Sequence, residues 1–213
     1  CHSLGKELIV ESRTEQLSDE KLAWASSINP SFTVAIGLEA YDDEVLRFHV
    51  NKGFSVASWD RAVERLEKYN LRIKTYLMFK PPFMSEADAL DHCVKWIEAV
   101  AEKSDEISIN PMNIQRGTVI DRLHRHQEYR PPWLWSLVEL IQKSHHIVHP
   151  KGGMNGDEDQ ISRLIIHPTA GGKIRGSHNC GECDAEVVAA IERYAVSGSL
   201  EEFTGIDCDC KSL

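Results

Sequence analysis

Leu71–Phe83 reads LRIKTYLMFKPPF. Ile73, Thr75, Leu77 and Phe79 fall on one side of an extended chain, and Lys74, Tyr76, Met78 and Lys80 on the other, as strand geometry requires. The first side is apolar except for Thr75 and suits burial beneath helices. The second carries two lysines and a tyrosine. Pro81 and Pro82 end the strand, because neither has an N–H to give to a ladder. Helical patterns flank the stretch, so a strand between helices delivers Lys80 to a stiff loop at its C-terminal end. In parallel α/β architectures ligands bind at that end.

Three other runs have strand character: Glu7–Glu11 (ELIVE), Phe32–Leu38 (FTVAIGL) and Glu106–Asn110 (EISIN). The second is nearly continuously apolar, the pattern of a strand buried in a parallel sheet. Helices fill the intervals. Ser18 caps one through Ile28, stopped by Asn29-Pro30, and Asp42 and Asp43 open a short one through Val50. Ser55 or Ser58 caps a helix to about Tyr69 with Trp59, Ala62, Val63 and Leu66 on one face. Ser85 caps another to about Lys103, whose core stripe holds Ala89, Cys93, Trp96, Ile97 and Val100. Thr118–Gln127 is a short helix. Pro131-Pro132 opens a stronger one that closes on His145 and His146, a helix end rather than a metal site. Beyond the turn-rich connector Lys151–Gln160, Ile161–His167 is a candidate strand, and Asp184–Val196 is an amphipathic helix. Right-handed crossovers would set the four main strands parallel and in order. The expected class is α/β, with residues 1–150 a partial barrel and 151–213 a small Cys-rich extension.

With 213 residues, 42% hydrophobic and 27% charged, the chain has the composition of a packed core. It contains no apolar run long enough to span a bilayer and no secretory signal pattern, which makes a cytoplasmic location with no membrane partner the expectation. A formal net charge of −9 gives no bulk attraction for nucleic acid. If RNA is a substrate, much of the positive field must come from elsewhere. The first residue is Cys1, and the opening reads as that of a chain cut from a longer one.

The parallel arrangement brings Glu11, Arg13, Glu39, Tyr41, Lys80, Asn110, Asn113 and Gln115 to one rim. Arg13 can pair a carboxylate bidentately, and Glu11 or Glu39 can accept from an ammonium or from hydroxyls. These types suit a polar cofactor with a carboxylate, an amine and a ribose. Glu11, Arg13 and Glu39 are the expected cofactor ligands, and Lys80, Asn110, Asn113 and Gln115 the expected catalytic, substrate-side residues. In the plainer reading Glu39 only approaches a helix and the amides only satisfy loop backbone. The sequence has no Gly-rich phosphate fingerprint at a strand–helix junction, no GxSxG and no HExxH.

Cys180, Cys183, Cys208 and Cys210 form CxxC…CxC. Nothing indicates secretion, so this clustering favours a metal over disulfides. Four thiolates close a tetrahedral site, for which zinc is the first choice, and His178 could replace one of them. Redox-active or unliganded thiols are the alternatives. Cys93, on a core stripe, reads as an inert buried thiol.

VESR (Val10–Arg13), AIGLEA (Ala35–Ala40), NKGF (Asn51–Phe54), YLMFKPPF (Tyr76–Phe83), SINPMNIQRGT (Ser108–Thr118), YRPPWLWS (Tyr129–Ser136) and HNCGECD (His178–Asp184) follow one another in order. In combination, from about Glu7 to Cys210, the chain resembles the archaeal archaeosine synthase radical SAM subunits, relatives of the elongator-type and tRNA-thiolating radical SAM enzymes. The resemblance implies a partial (β/α)6 barrel whose third to sixth strands are the four above. It implies S-adenosylmethionine on a [4Fe–4S] cluster and lyase cleavage of a C–N bond in a lysine-modified 7-deazaguanine of the tRNA D-arm, giving archaeosine. It also implies a partner, the subunit that attaches the lysine. The sequence departs from the pattern in one respect: these enzymes hold the cluster with CxxxCxxC, and that motif is absent, so the cluster ligands are not in this chain. The chain is therefore expected to be a C-terminal portion that is inactive alone. A naturally truncated homologue, a non-catalytic zinc-stabilised RNA-binding or scaffold subunit, and another radical SAM tRNA-modifying enzyme are the rival readings.

Overall fold

The computed structural model describes residues 7–28, 32–149 and 161–212. Five strands form one sheet in the order β1-β2-β3-β4-β5. They are β1 Leu8–Ser12, β2 Phe32–Glu39, β3 Arg72–Phe79, β4 Glu106–Pro111 and β5 Arg163–Ile166. Every neighbouring pair is parallel.

The alternation in β3 decides which face is covered. Ile73, Leu77 and Phe79 are buried in one core cluster with Trp59 and Leu66, Cys93 and Ile97, Leu137 and Ile141, and Val187 and Ile191. Those pairs come from α3 (Val56–Lys68), α4 (Glu86–Ala101), α6 (Leu134–Val148) and α7 (Asp184–Ser197) in turn. Fully burying one such aliphatic or aromatic side chain contributes roughly 1.5–3 kcal/mol. Thr75, the polar exception on this face, is fully buried with its Oγ1 2.7 Å from Ser104 Oγ. Each hydroxyl answers the other, which avoids the cost of an unmade bond. The opposite face carries Lys74 and Tyr76, and among the described residues no α-helix lines the cleft on it.

Most caps are local. Ser55, Ser85 and Thr118 accept from Ser58, Asp88 and Asp121 N–H at the starts of α3, α4 and α5 (Val119–Arg125). Ser18 Oγ accepts from Lys21 N ahead of α1 (Asp19–Ile28). Asp42 caps the short α2 (Asp43–Val45), which runs into a wider π turn at Leu46–Val50. At the start of α6, Pro131 and Pro132 bring no N–H and Trp133 has no capping side chain. The acceptors come from elsewhere: Glu86 Oε1 for Trp133 N at 2.8 Å, and Asn179 Oδ1 for Leu134 N at 2.9 Å.

The sheet is larger than expected. Ile161–His167 does supply a strand, and β5 pairs with β4 from Glu106↔Arg163 to Ile109↔Ile166. With this candidate strand the sheet has five strands, one more than the four the resemblance implied for the barrel. The Asn29-Pro30 stop and the Lys151–Gln160 connector lie outside the described residues. Among the described residues, no helix is long and apolar enough to cross a membrane.

Candidate functional site

The face of the sheet that carries Lys74 and Tyr76 lines a cleft of about 880 Å³, within the size range of small-molecule and cofactor sites. Each of the first four strands contributes: Glu11 from β1, Gly37 and Glu39 from β2, Lys74 and Tyr76 from β3, Ser108 and Asn110 from β4. Arg13 and Lys52 reach it from loops.

Glu39 is the centre of this arrangement. The β2–β3 register shifts between Gly37 and Glu39, and Glu39 takes a left-handed φ of 73°. A non-glycine residue held there costs of order 1 kcal/mol or more and marks a place where the surroundings over-determine the backbone. The strained turn folds the carboxylate back over Gly37. Lys52 Nζ donates to Glu39 Oε1 at 2.9 Å, and both side chains are only 17% exposed. Beside them, Tyr76 donates its hydroxyl proton to Glu11 Oε1 at 3.1 Å. Burial, and then the Glu11 carboxylate, raise the Tyr76 hydroxyl above its ordinary pKa. Arg13 is paired with Glu15 and lies 5.9 Å over the Phe54 ring. That hydrogen bond holds the Glu15 carboxyl below its usual range.

Glu11, Arg13, Glu39 and Asn110 thus share one cleft, as the strand ends led us to expect. Lys80 does not join them. At φ 56° it leaves the strand's alternation, and its ammonium is buried 2.6 Å from Glu86 Oε2 and 2.9 Å from the Arg130 carbonyl. Tyr129, its hydroxyl raised above the ordinary pKa by burial, donates to the Lys80 carbonyl at 2.8 Å. Lys80 therefore ties β3 to the loop before α6. Tyr41 is also off the rim, its hydroxyl between Asp60 and Lys103. Asn113 and Gln115 bond to each other and line a second, apolar cleft of about 550 Å³. Lys74, Ser108, His167 and Thr169 line the polar cleft without having been singled out as site residues. Strand parity places the first two there. Lys52, in what reads as a plain turn, carries no such signal.

The four cysteines converge. Sγ–Sγ separations are 4.0 Å for Cys180–Cys183, 3.7 Å for Cys180–Cys208 and 3.6 Å for Cys183–Cys210. All four sulfurs lie within 4.8 Å of one another. A tetrahedron with metal–sulfur bonds of about 2.3 Å has edges of about 3.8 Å, so the sulfurs stand where one ion would put them. Two donors face them: Asn179 Nδ2 at 3.3 Å from Cys183 Sγ, and Trp135 Nε1 at 3.4 Å from Cys210 Sγ. Backbone N–H groups of Cys183 and Glu182 bring the exposed Cys180 thiol down to about 7, and burial pushes Cys183 up to about 12. His178 stays outside the quartet, its Nδ1 2.9 Å from the Gly176 carbonyl. Cys93 is fully buried, which raises its thiol pKa far above the ordinary value.

The polar cleft fits S-adenosylmethionine in its donor set. Arg13 and Lys52 are cations for a carboxylate, Glu11 and Glu39 are acceptors for an ammonium or ribose hydroxyls, and Asn110 offers an amide. A [4Fe–4S] cluster finds no ligands there among the described residues: no cysteine lines the cleft, and the quartet closes on a single point. Cys1 lies outside the described residues.

No protein-family model matches the chain. It is 34% identical to archaeosine synthase subunit beta of Methanosarcina acetivorans over 208 residues, 97% of this chain and 57% of that protein. The same subunit of Thermococcus kodakarensis is 34% identical over 209 residues, 97% of this chain and 61% of the relative. The chain thus spans under two thirds of the curated relatives it matches. Among solved structures, Elp3 of the archaeon Methanocaldococcus infernus, with residues 1–46 deleted, superposes with a TM-score of 0.65. That likeness is 18% identical over 96% of this chain and 43% of the other, and it concerns the fold, which is the α/β, partial-barrel class with a Cys cluster at its C-terminal end. At about a third identity over nearly its whole length, the chain is similar to archaeosine synthase subunit beta of these two archaea.

Proposed function

We propose that this chain forms the cofactor- and substrate-holding part of a radical S-adenosylmethionine enzyme of tRNA modification. The observation that carries this reading is the convergence of Glu11, Arg13, Glu39, Lys52 and Asn110 on one sheet face, in a chain whose relatives are named archaeosine synthase subunit beta. Arg13 and Lys52 hold the carboxylate of S-adenosylmethionine, and Glu11 and Glu39 hold its ammonium and ribose hydroxyls. Asn110 faces both this cofactor and the substrate, with Asn113 and Gln115 further along the rim. A [4Fe–4S] cluster, held by ligands outside the described residues, would supply the electron for radical chemistry. The reaction is cleavage of the C–N bond of a lysine-modified 7-deazaguanine in the tRNA D-arm, leaving archaeosine, in the cytoplasm and alongside the lysine-attaching subunit. Cys180, Cys183, Cys208 and Cys210 hold one structural ion, for which zinc suits four thiolates, and it contributes to folding rather than chemistry.

The test is titration of S-adenosylmethionine into the full-length protein, wild type and Glu39→Gln, followed by anaerobic turnover on lysine-modified tRNA with mass analysis of the base. Binding lost in Glu39→Gln, and archaeosine formed only by the wild type, is the expected result. Wild-type binding and turnover in the variant would remove Glu39 from the site. A different modified base would reassign the reaction within the radical tRNA enzymes.

A further inference from the structure

The apolar cleft beside the polar one is unused by the cofactor reading. It is lined by Phe48, Met78, Phe83 and Met112 with the amides Asn51, Asn113 and Gln115. Phe48 and Phe83 are 63% and 65% exposed, and the surroundings hold both in place. His49 Nδ1 lies 2.6 Å from the Pro82 carbonyl, and the His49 and Phe83 rings meet edge-on at 6.2 Å. Phe83 itself sits at φ 65°, a backbone that a bulky residue rarely keeps without a surrounding constraint. The loop carrying Phe83 is thereby tied to the turn carrying Phe48.

The electrostatics are local and opposite to the chain's overall charge. No acidic residue lines this cleft, although the formal net charge is −9. Arg47 places its guanidinium 5.0 Å over the Phe48 ring, and Arg116 is exposed beside Gln115. Exposed aromatic faces, amides and flanking arginines are the equipment for stacking a base and attracting its phosphates. The cleft also adjoins the polar one: Met78 in its wall pairs in register with Asn110, and Asn110 lines the cofactor cleft.

We propose that this cleft seats a single unstacked nucleobase of an RNA substrate on Phe48 and Phe83, with Asn113 and Gln115 facing the base edge and Arg47 and Arg116 the flanking phosphates. The proposal rests on the RNA-modifying reading above and names the substrate subsite within it. Seated there, the base reaches the cofactor cleft across the Met78–Asn110 wall.

The experiment uses full-length protein and a short single-stranded RNA carrying one 2-aminopurine. Affinity and 2-aminopurine emission are read for the wild type, Phe48→Ala, Phe83→Ala, Phe83→Tyr and Phe83→Leu, with S-adenosylmethionine binding titrated separately. Each alanine variant is expected to weaken RNA binding about 5- to 160-fold, the range for a lost base–aromatic stack, and to abolish the emission change. Phe83→Tyr should retain both and Phe83→Leu should not, while cofactor affinity stays at the wild-type value in all. Alanine variants that bind RNA as the wild type does would overturn the proposal, whether or not the cofactor binds. So would leucine performing as well as tyrosine, or alanine variants whose only effect is to convert a dimer to a monomer in sedimentation. A wild type that shows the stacking pattern but binds no S-adenosylmethionine would leave this subsite standing and remove the cofactor reading alone.

Discussion

Lys52 Nζ lies 2.9 Å from Glu39 Oε1 and 3.0 Å from where a Cβ on Gly37 would stand. The same absent Cβ would be 2.8 Å from Glu39 Oε1. A bare backbone at Gly37 therefore leaves room for this carboxylate–ammonium pair inside the cleft.

Gly37→Ala forces that pair aside. We expect S-adenosylmethionine affinity of the full-length protein to fall by at least about tenfold. Stability should change by less than about 1 kcal/mol, because the atoms that must give way are the free ends of two flexible side chains. Calorimetric titration and thermal melting check the two effects. Unchanged affinity would mean that the cofactor does not depend on where Glu39 and Lys52 stand.

Lys80→Met should behave as a stability variant. It removes the ammonium from Glu86, whose carboxylate is 25% exposed, and from the Arg130 carbonyl. Breaking a fully buried pair costs about 3–5 kcal/mol, and partial exposure of Glu86 brings this to about 1–3 kcal/mol. The melting temperature should drop while cofactor affinity stays within about twofold of wild type. A large loss of affinity with an unchanged melting temperature would restore Lys80 to the site.

Trp135→Phe keeps an aromatic ring packed against the core and removes the indole N–H that faces Cys210 Sγ at 3.4 Å. Outer donors to metal ligands are worth about 10–100-fold in metal affinity. Zinc competition against a chromogenic chelator should show a loss in that range. Removing the ion from the wild type altogether should lower the melting temperature, because Asn179 both faces Cys183 Sγ and caps α6. A protein that melts identically with and without chelator would contradict a structural ion.

Asp121 closes the loop after β4 onto the segment between β5 and α7 that carries Arg175. It accepts from Gly117 N at 3.0 Å and from Arg175 Nη2 at 2.7 Å, and these bonds hold its carboxyl below the usual range. A depressed folded pKa contributes stability that is present above the unfolded value, about 3.9, and is lost as pH falls through the folded one. Asp121→Asn should lower the melting temperature at neutral pH and flatten its fall below about pH 4. Parallel acid limbs for the two proteins would count against this clasp.

Much of this was legible in the chain itself. Alternation in Ile73–Phe79 gave the buried and open faces of β3, because a strand has one period and its core has no polar exception but Thr75. CxxC…CxC gave the quartet, because thiol spacing survives whatever the backbone does between the pairs. Lys80 was misplaced because alternation holds only while the backbone stays extended, and a left-handed φ at the strand end sends the side chain the other way. Tyr41 lies beyond the end of β2 and was captured by Asp60 and Lys103, partners distant in sequence. Lys52 was invisible for the same reason: a loop residue acquires its role from a strand end it meets only in three dimensions.

β1 has a hydrogen-bonded neighbour on one side only among the described residues, and Ile9 and Val10 on it are 47% and 41% exposed. Two such ribbons can zip together intermolecularly, as uncovered strand margins do. For this 213-residue chain by itself, a formal net charge of −9 opposes that approach. Salt shortens the reach of that repulsion to about 8 Å at physiological strength. The shelf life of a concentrated stock is thus a colloidal property. Turbidity should grow faster as sodium chloride is added, and a single Val10→Lys should slow it.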